Sequence, residues 1–403
     1  MSEWVEYSLE DVAEITSSKR IFYADYVDYG IPFYRSKEII ELYNRSEISN
    51  SLYISEQKYL EIKEKYGVPV IGDILLTSVG TLGIPYLVNN SNEFYFKDGN
   101  LTWIRKINKN IVLPDFIYCL LNSPLGKNKL DEITIGSTQA ALTIAGLKKI
   151  KISVPNLSEQ LEIVNVIQSI SKKIELLHRQ NKTLESMAET LFRQWFVEEA
   201  QNDWEEKTLA DFGKVVCGKT PSKKKSEYYG NDIPFLKIPD MHGRVFISST
   251  EDNLSLLGAE SQLNKLLPEG SLCVSCIATV GLVCITSKPM QTNQQINSII
   301  PKSSKYLYFL FLLMKSINDE LHSLASGGTT TLNLNTGNFS KIKICVPPKE
   351  DIFSFNQSVY DFFEKIKSNT NQIQTLEKLR DTLLPKLMSG EVRVNYTPEE
   401  IKQ

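Results

Sequence analysis

Between Ser158 and Phe196 the chain carries neither glycine nor proline, and its apolar residues recur alternately four and three positions apart. The stripe Ile163, Ile167, Ile170, Ile174, Leu177, Asn181, Leu184, Ala188, Leu191 and Trp195 sustains a seven-residue repeat along this whole segment. A seam that narrow predicts a long helix over 158–196 that buries one face against a second helix. The matching segment is 350–388, where Phe362, Ile366, Asn369, Ile373, Leu376, Leu383 and Leu387 lie on a similar stripe. Asn181 interrupts the seam with a polar amide, which either fixes register or marks a solvated gap.

The two stripes also mark a duplication. Ile174, Leu184, Leu191 and Trp195 stand 192 positions before Ile366, Leu376, Leu383 and Leu387, all apolar. Ile150-Lys151-Ile152-Ser153-Val154-Pro155 is echoed at the same offset by Ile342-Lys343-Ile344-Cys345-Val346-Pro347. Upstream, Trp4, Leu9 and Asp11 return 200 positions later as Trp204, Leu209 and Asp211, and Ile31-Pro32-Phe33 returns 202 later as Ile233-Pro234-Phe235. Gly72, Thr81 and Gly83 return 198 positions on as Gly270, Thr279 and Gly281. Such drift in offset is the mark of small loop insertions and deletions within one repeated unit.

Short apolar runs bounded by glycine, at 72–79 and 270–277, predict buried strands, while 115–121 and 306–314 predict packed helices. The expected organisation is α+β. A globular domain over 1–157 leads into a helix over 158–196 and a linker over 197–203. A second globular domain over 204–349 leads into a helix over 350–388, and a tail over 389–403 ends the chain. A pseudo-twofold relation between the halves would make the helices an antiparallel coiled coil, each about 58 Å long at about 1.5 Å per residue. It would also return the tail around Glu391 to the neighbourhood of Trp4.

A chain of 403 residues with 42% hydrophobic residues can bury more than one core. The opening residues lack the basic start and apolar core of a signal peptide, and the longest apolar run, 306–314, is too short to cross a bilayer. A cytoplasmic location with no membrane partner is therefore expected. The net charge of −3 and pI of about 5.9 give no overall basic signature, so any nucleic-acid contact must rest on local patches or on a basic partner. Six scattered cysteines do not form a secreted disulfide framework, and reduced thiols are expected.

Several chemistries fit the spelling but not the context. Gly213 to Thr220 satisfies the phosphate-loop pattern with Lys219, but Leu209 to Phe212 makes a poor preceding strand, and Thr220 is followed by Pro221 rather than by a helix. Cys273, Cys276, Cys284 and His242 could be imagined as a zinc site, yet the cysteines lie in apolar strands and the first copy has Leu75 and Ser78 at the paired positions. With three histidines in the chain, acid–base catalysis by histidine has little to build on. No catalytic, cofactor-binding or metal-ligating residue is assigned.

What remains is a set of polar and basic loops at matching points in the two copies, the kind that contact phosphates and base edges. Ser18, Lys19 and Arg20 match Lys219, Thr220, Ser222, Lys223, Lys224 and Lys225. Arg35 and Lys37 follow the first Ile-Pro-Phe, and Lys237 follows the second, with Arg244 further on. Asn293, Gln294 and Gln295 offer amides able to pair with adenine edges, opposite Asp98-Gly99-Asn100 in the first copy. Ser137, Thr138 and Gln139 match Thr329 and Thr330. For any single residue a plain solvated loop is an equal reading.

Two variable domains, each closed by an I-x-I-x-V-P strand and followed by a long heptad helix, resemble the specificity subunit of type I restriction-modification systems. The likeness covers essentially the whole chain and extends to Gly72-Asp73-Ile74-Leu75 and to the run from Leu379 to Gly390. In the second copy Ser271 replaces Asp73, a departure at that turn. The resemblance implies a non-catalytic subunit that reads an asymmetric bipartite site in double-stranded DNA, one half per domain, with the helices setting the spacing. It further implies two modification subunits carrying S-adenosylmethionine, and restriction subunits that use ATP and Mg. A coiled-coil protein adaptor, or an NTPase built on the Gly213 loop, are the alternatives.

Overall fold

The structure, a computed structural model, describes residues 4–44, 46–136, 140–200, 204–326 and 332–394. The chain divides into two compact units, Met1–Lys173 with Leu376–Gln403, and Ile174–Thr375. Among the described residues no helix is long and apolar enough to cross a membrane.

In the first unit, strand Val5–Ser8 pairs antiparallel with Lys151–Val154, so the I-x-I-x-V-P segment closes onto the start of the chain. A four-stranded sheet follows in the order Glu14–Thr16, Leu101–Arg105, Ile74–Thr77, Pro85–Leu87. Ile74–Thr77 is buried along its length, which explains why it reads as an unbroken apolar run rather than an alternating one. A second sheet runs Tyr26–Val27, Leu52–Ile54, Ile31–Tyr34, Tyr95–Phe96, the last pair parallel. Helix Pro114–Asn122 begins with proline, whose missing N–H is not needed in a first turn, and buries Phe116, Ile117 and Leu120. The core is completed by Ile163, Ile167, Leu384, Leu387 and Met388 from the two long helices, with Trp4 and Val392 packed against it.

The second unit repeats this plan. Glu205–Thr208 pairs antiparallel with Lys343–Val346. A five-stranded sheet runs Gly213–Cys217, Ile296–Pro301, Leu272–Ile277, Thr279–Thr286, Phe246–Ile247, and a three-stranded one runs Asn253–Leu254, Tyr229–Leu236, Gln291–Thr292. Helix Leu307–Ser316 is buried from Leu307 to Met314. Gly72 and Gly270 take φ of 97° and 76° immediately before the buried strand of each unit, a conformation that favours glycine. The departure at Asp73 is absorbed locally. Asp73 accepts from Trp103 Nε1 at 2.9 Å and Val70 N at 3.1 Å, whereas Ser271 donates to Pro268 O at 2.8 Å.

The long helices span Leu157–Arg193, continued by a π turn over Gln194–Glu198, and Lys349–Ser389. Within the second unit their segments are antiparallel: Asn369 bonds Asn181, while Phe355 packs on Phe192 and Trp195. Advancing along one helix thus retreats along the other. Ile174, Leu177, Ile366 and Ile373 are buried as the stripe predicts, whereas Leu184, Leu191 and Trp195 are only partly buried beside the fully buried Ala188 and Phe192. Phe363, not Phe362, occupies the core. The cause is helix geometry: a straight helix has about 3.6 residues per turn and drifts off a strict seven-residue repeat. Ile170, Leu376 and Leu383 are partly buried.

Candidate nucleic-acid interface

In the second unit the structure joins two of the sequence-predicted segments, Lys219–Thr220 and Asn293–Gln295. Gly218 N donates to Ile296 O at 3.1 Å, Lys219 N to Thr292 O at 2.9 Å, and Thr220 Oγ1 to Gln294 Oε1 at 2.7 Å. Asn293 and Gln295 lock each other through Asn293 Nδ2 to Gln295 Oε1 at 2.9 Å and Gln295 N to Asn293 Oδ1 at 3.1 Å. Lys219 and Gln294 remain exposed beside one another in this frame. Ser222, Lys223, Lys224 and Lys225 follow, all exposed, and Lys225 donates to the Tyr228 hydroxyl at 3.0 Å.

The same pair of loops meets in the first unit. Lys19 N donates to the Tyr95 hydroxyl at 2.7 Å, Gly99 N to Ser17 Oγ at 3.4 Å, and Arg20 lies 3.6 Å from Asp98. Lys19 and Arg20 are exposed, with Lys19 Nζ 5.2 Å from the centre of the Tyr66 ring. Ser18 is half-buried. Both units therefore set exposed cations beside short polar side chains, a combination that suits phosphates and base edges.

Other candidates sit differently. Arg35 is bound to the buried Glu38. Burial raises the Glu38 carboxyl, and hydrogen bonds from the Arg35 side chain and backbone outweigh that, leaving it below the usual range. Lys237 pairs with Asp252, and Lys37 lies 3.8 Å from Glu41. Arg244 is exposed and reaches Ser249 O at 3.4 Å. Arg35 and Lys237 are thus engaged internally, which leaves them less available to a phosphate than the exposed Lys19 or Lys223. Ser137, Thr138, Gln139, Thr329 and Thr330 lie outside the described residues.

The phosphate-loop spelling dissolves into sheet. Gly213–Cys217 is itself a strand, paired with 297–301, and a Cβ on Gly213 would stand 2.1 Å from Ile300 O. A Cβ on Gly218 would stand 2.0 Å from Asn293 O. These glycines let backbones pass closely, and the Gly218 and Lys219 amides, which a phosphate loop would turn to its ligand, donate to Ile296 O and Thr292 O. Cys273, Cys276 and Cys284 are buried in strands, while His242 is exposed.

Three buried polar residues behind these loops were not singled out from the sequence: Tyr95, Gln262 and Gln291. Gln262 Nε2 donates to Lys219 O and to Gln291 Oε1, both at 2.7 Å, and Gln291 Nε2 donates to Ala259 O at 2.8 Å. Gln291 opens a polar run, Gln291-Thr292-Asn293-Gln294-Gln295, in which no local pattern marks it as buried, and tyrosine in Phe94-Tyr95-Phe96 is no signal at all.

Residues 1–186 and 201–381 match the family described as type I restriction modification DNA specificity domain. The type I restriction enzyme HindI specificity subunit of Haemophilus influenzae is 36% identical over 470 aligned residues, spanning 97% of this chain and 100% of that protein. The MjaIX specificity subunit of Methanocaldococcus jannaschii is 29% identical over 346 residues, spanning 80% and 78%. Among solved structures, the type-I restriction-modification system S subunit from M. genitalium superposes with a TM-score of 0.60 at 15% identity, covering 98% and 97%, a likeness of fold.

Proposed function

Because the chain belongs to the type I restriction modification DNA specificity family, with two copies of its domain, we propose that each copy reads one half of a bipartite, asymmetric DNA site through its paired polar loops. The protein is the DNA sequence-recognition subunit of a restriction-modification complex and is itself non-catalytic. The observation that carries the loop assignment is the recurrence of one arrangement: the loop from Ser17 to Arg20 beside Tyr95 and Asp98–Gly99 in one unit, and Lys219–Thr220 beside Thr292 and Gln294 in the other.

The division of labour follows from the side chains. Lys19, Arg20, Lys219, Lys223, Lys224 and Lys225 supply sequence-independent attraction to phosphates, which the net charge of −3 leaves to local patches. Gln294, exposed, supplies the amide donor and acceptor that pair with base edges, while the buried Asn293 and its partner Gln295 hold the loop in shape. The long helices serve as the spacer between half-sites. Two modification subunits bring S-adenosylmethionine and methylate adenine, and restriction subunits bring ATP and Mg. All of these partners come from the family reading.

The test is methylome sequencing of cells that express this chain with its modification subunit. One motif with two defined halves and a fixed gap is expected. A complex that assembles and leaves no methylated or footprinted bipartite site would favour a protein adaptor and overturn the reading.

A further inference from the structure

We infer that Tyr95 and Gln291 are equivalent positioning residues, each holding the lysine loop of its own unit in the geometry that reads DNA. The inference rests on the DNA-reading role proposed above and adds the buried residues on which its precision depends.

The equivalence is one of register. Strand Tyr95–Phe96 runs parallel to Ile31–Tyr34, pairing Phe33 with Tyr95 and Tyr34 with Phe96. Strand Gln291–Thr292 runs parallel to Tyr229–Leu236, pairing Phe235 with Gln291 and Leu236 with Thr292. Since Phe33 and Phe235 are the matched phenylalanines of the Ile-Pro-Phe repeat, Tyr95 and Gln291 occupy one position of the fold. Both side chains are 0% exposed.

A fully buried hydroxyl or amide is tolerated only with a partner, and an apolar residue of similar size would pack there without that requirement. Here the partners lead to a surface loop. Tyr95 Oη accepts directly from Lys19 N at 2.7 Å. Gln291 acts through one relay, its Oε1 accepting from Gln262 Nε2, which also donates to Lys219 O, each at 2.7 Å. Lys19 and Lys219 are themselves counterparts, 200 positions apart. Two unlike side chains thus anchor the same loop residue, one at its N–H and the other, through Gln262, at its carbonyl. Surface loops are mobile unless tied down, and a reader held in its bound geometry loses less conformational entropy on binding.

The experiment uses the full chain in complex with its modification subunit, with Tyr95→Phe and Gln291→Met. Discrimination is read as binding to the cognate duplex against duplexes substituted at single bases in either half-site. Tyr95→Phe removes one oxygen and should cost about three- to tenfold in discrimination at one half-site only, the equivalent of one net hydrogen bond. Gln291→Met should do the same at the other half-site. The slope of affinity against salt should stay as in wild type, because no cation is removed. Hydrogen exchange at the Lys19 amide should quicken in Tyr95→Phe. Folded variants with unchanged discrimination at both half-sites, or an equal loss at both, would overturn the inference. A wild-type complex that shows no bipartite preference would instead defeat the DNA-reading role.

Discussion

Asn369 offers a test in which competing terms have to be weighed to obtain even the sign. It lies on the seam between Ile366 and Ile373, is 1% exposed, and donates from Nδ2 to Asn181 Oδ1 at 2.8 Å and to Gln180 Oε1 at 2.9 Å. Its Oδ1 is buried without a hydrogen-bond partner among the described residues. Replacing it by leucine forfeits two hydrogen bonds, about 0.5–1.5 kcal/mol each net. Gln180 is exposed and Asn181 half-buried, so both acceptors can turn to water and little desolvation penalty is left behind. Against that loss, removing the orphaned oxygen recovers about 1–3 kcal/mol, and burying a leucine side chain between two isoleucines gains about 1.5–3 kcal/mol. The favourable terms win by about 2 kcal/mol. For a unit running from Ile174 to Thr375, that is a rise of about 4–8 °C in the melting temperature of its transition. Differential scanning calorimetry of the purified full chain would resolve it. A fall in melting temperature for Asn369→Leu would refute the reasoning, since it would mean that the amide cluster is net stabilising.

Two further outcomes are expected. Replacing Lys223, Lys224 and Lys225 together by alanine should weaken DNA binding and flatten the log–log salt dependence by about 2–3, at about 0.9 for each phosphate no longer neutralised; an unchanged slope would remove that loop from the interface. Cysteine labelling by a disulfide reagent at pH 8 should reach the exposed Cys345 first and the half-buried Cys217 more slowly, leaving Cys119, Cys273, Cys276 and Cys284 unmodified until the protein unfolds. Burial removes the last four from the reagent and also pushes the Cys119 thiol up to about 12 and Cys276 up to about 11, so thiolate is scarce there. Rapid modification of more than two thiols in the native protein would contradict this.

Much of the architecture was legible because it repeats. Two offsets, 192 and 200, locate the ends of each globular copy, and the structure joins those very ends as Val5 to Val154 and Glu205 to Val346. Buried strands announced themselves as glycine-bounded apolar runs, and helices as heptad stripes. The stripe misled where packing follows the 3.6 period, as at Phe192 and Phe363. Strand Gly213–Cys217 lay beneath a phosphate-loop spelling that its context discounts, and Gly213 and Gly218 only make room for neighbouring backbone. Asn181 was visible as an interruption, but its partner Asn369 lies 188 positions away, on a helix whose register no local pattern sets.

The loops show a deeper reason why part of a site stays hidden. Lys19 and Lys219 can be matched by residue type, because each has to be a surface cation and solvent imposes no geometry on it. The groups behind them cannot. Tyr95 spans to Lys19 N in one step, and Gln291 reaches Lys219 O only through Gln262, so the matched loop residue is held at different backbone groups by different chemistry with different reach. Comparison of the copies by residue type therefore pairs a tyrosine with a glutamine and reads no relation. Parallel pairing against the matched Phe33 and Phe235 restores it, since register constrains where a buried side chain can go more strictly than it constrains which side chain is used. Under the proposed DNA-reading role, variation between such domains is expected at two levels: in the exposed loop residues, and in the buried polar residues that hold them.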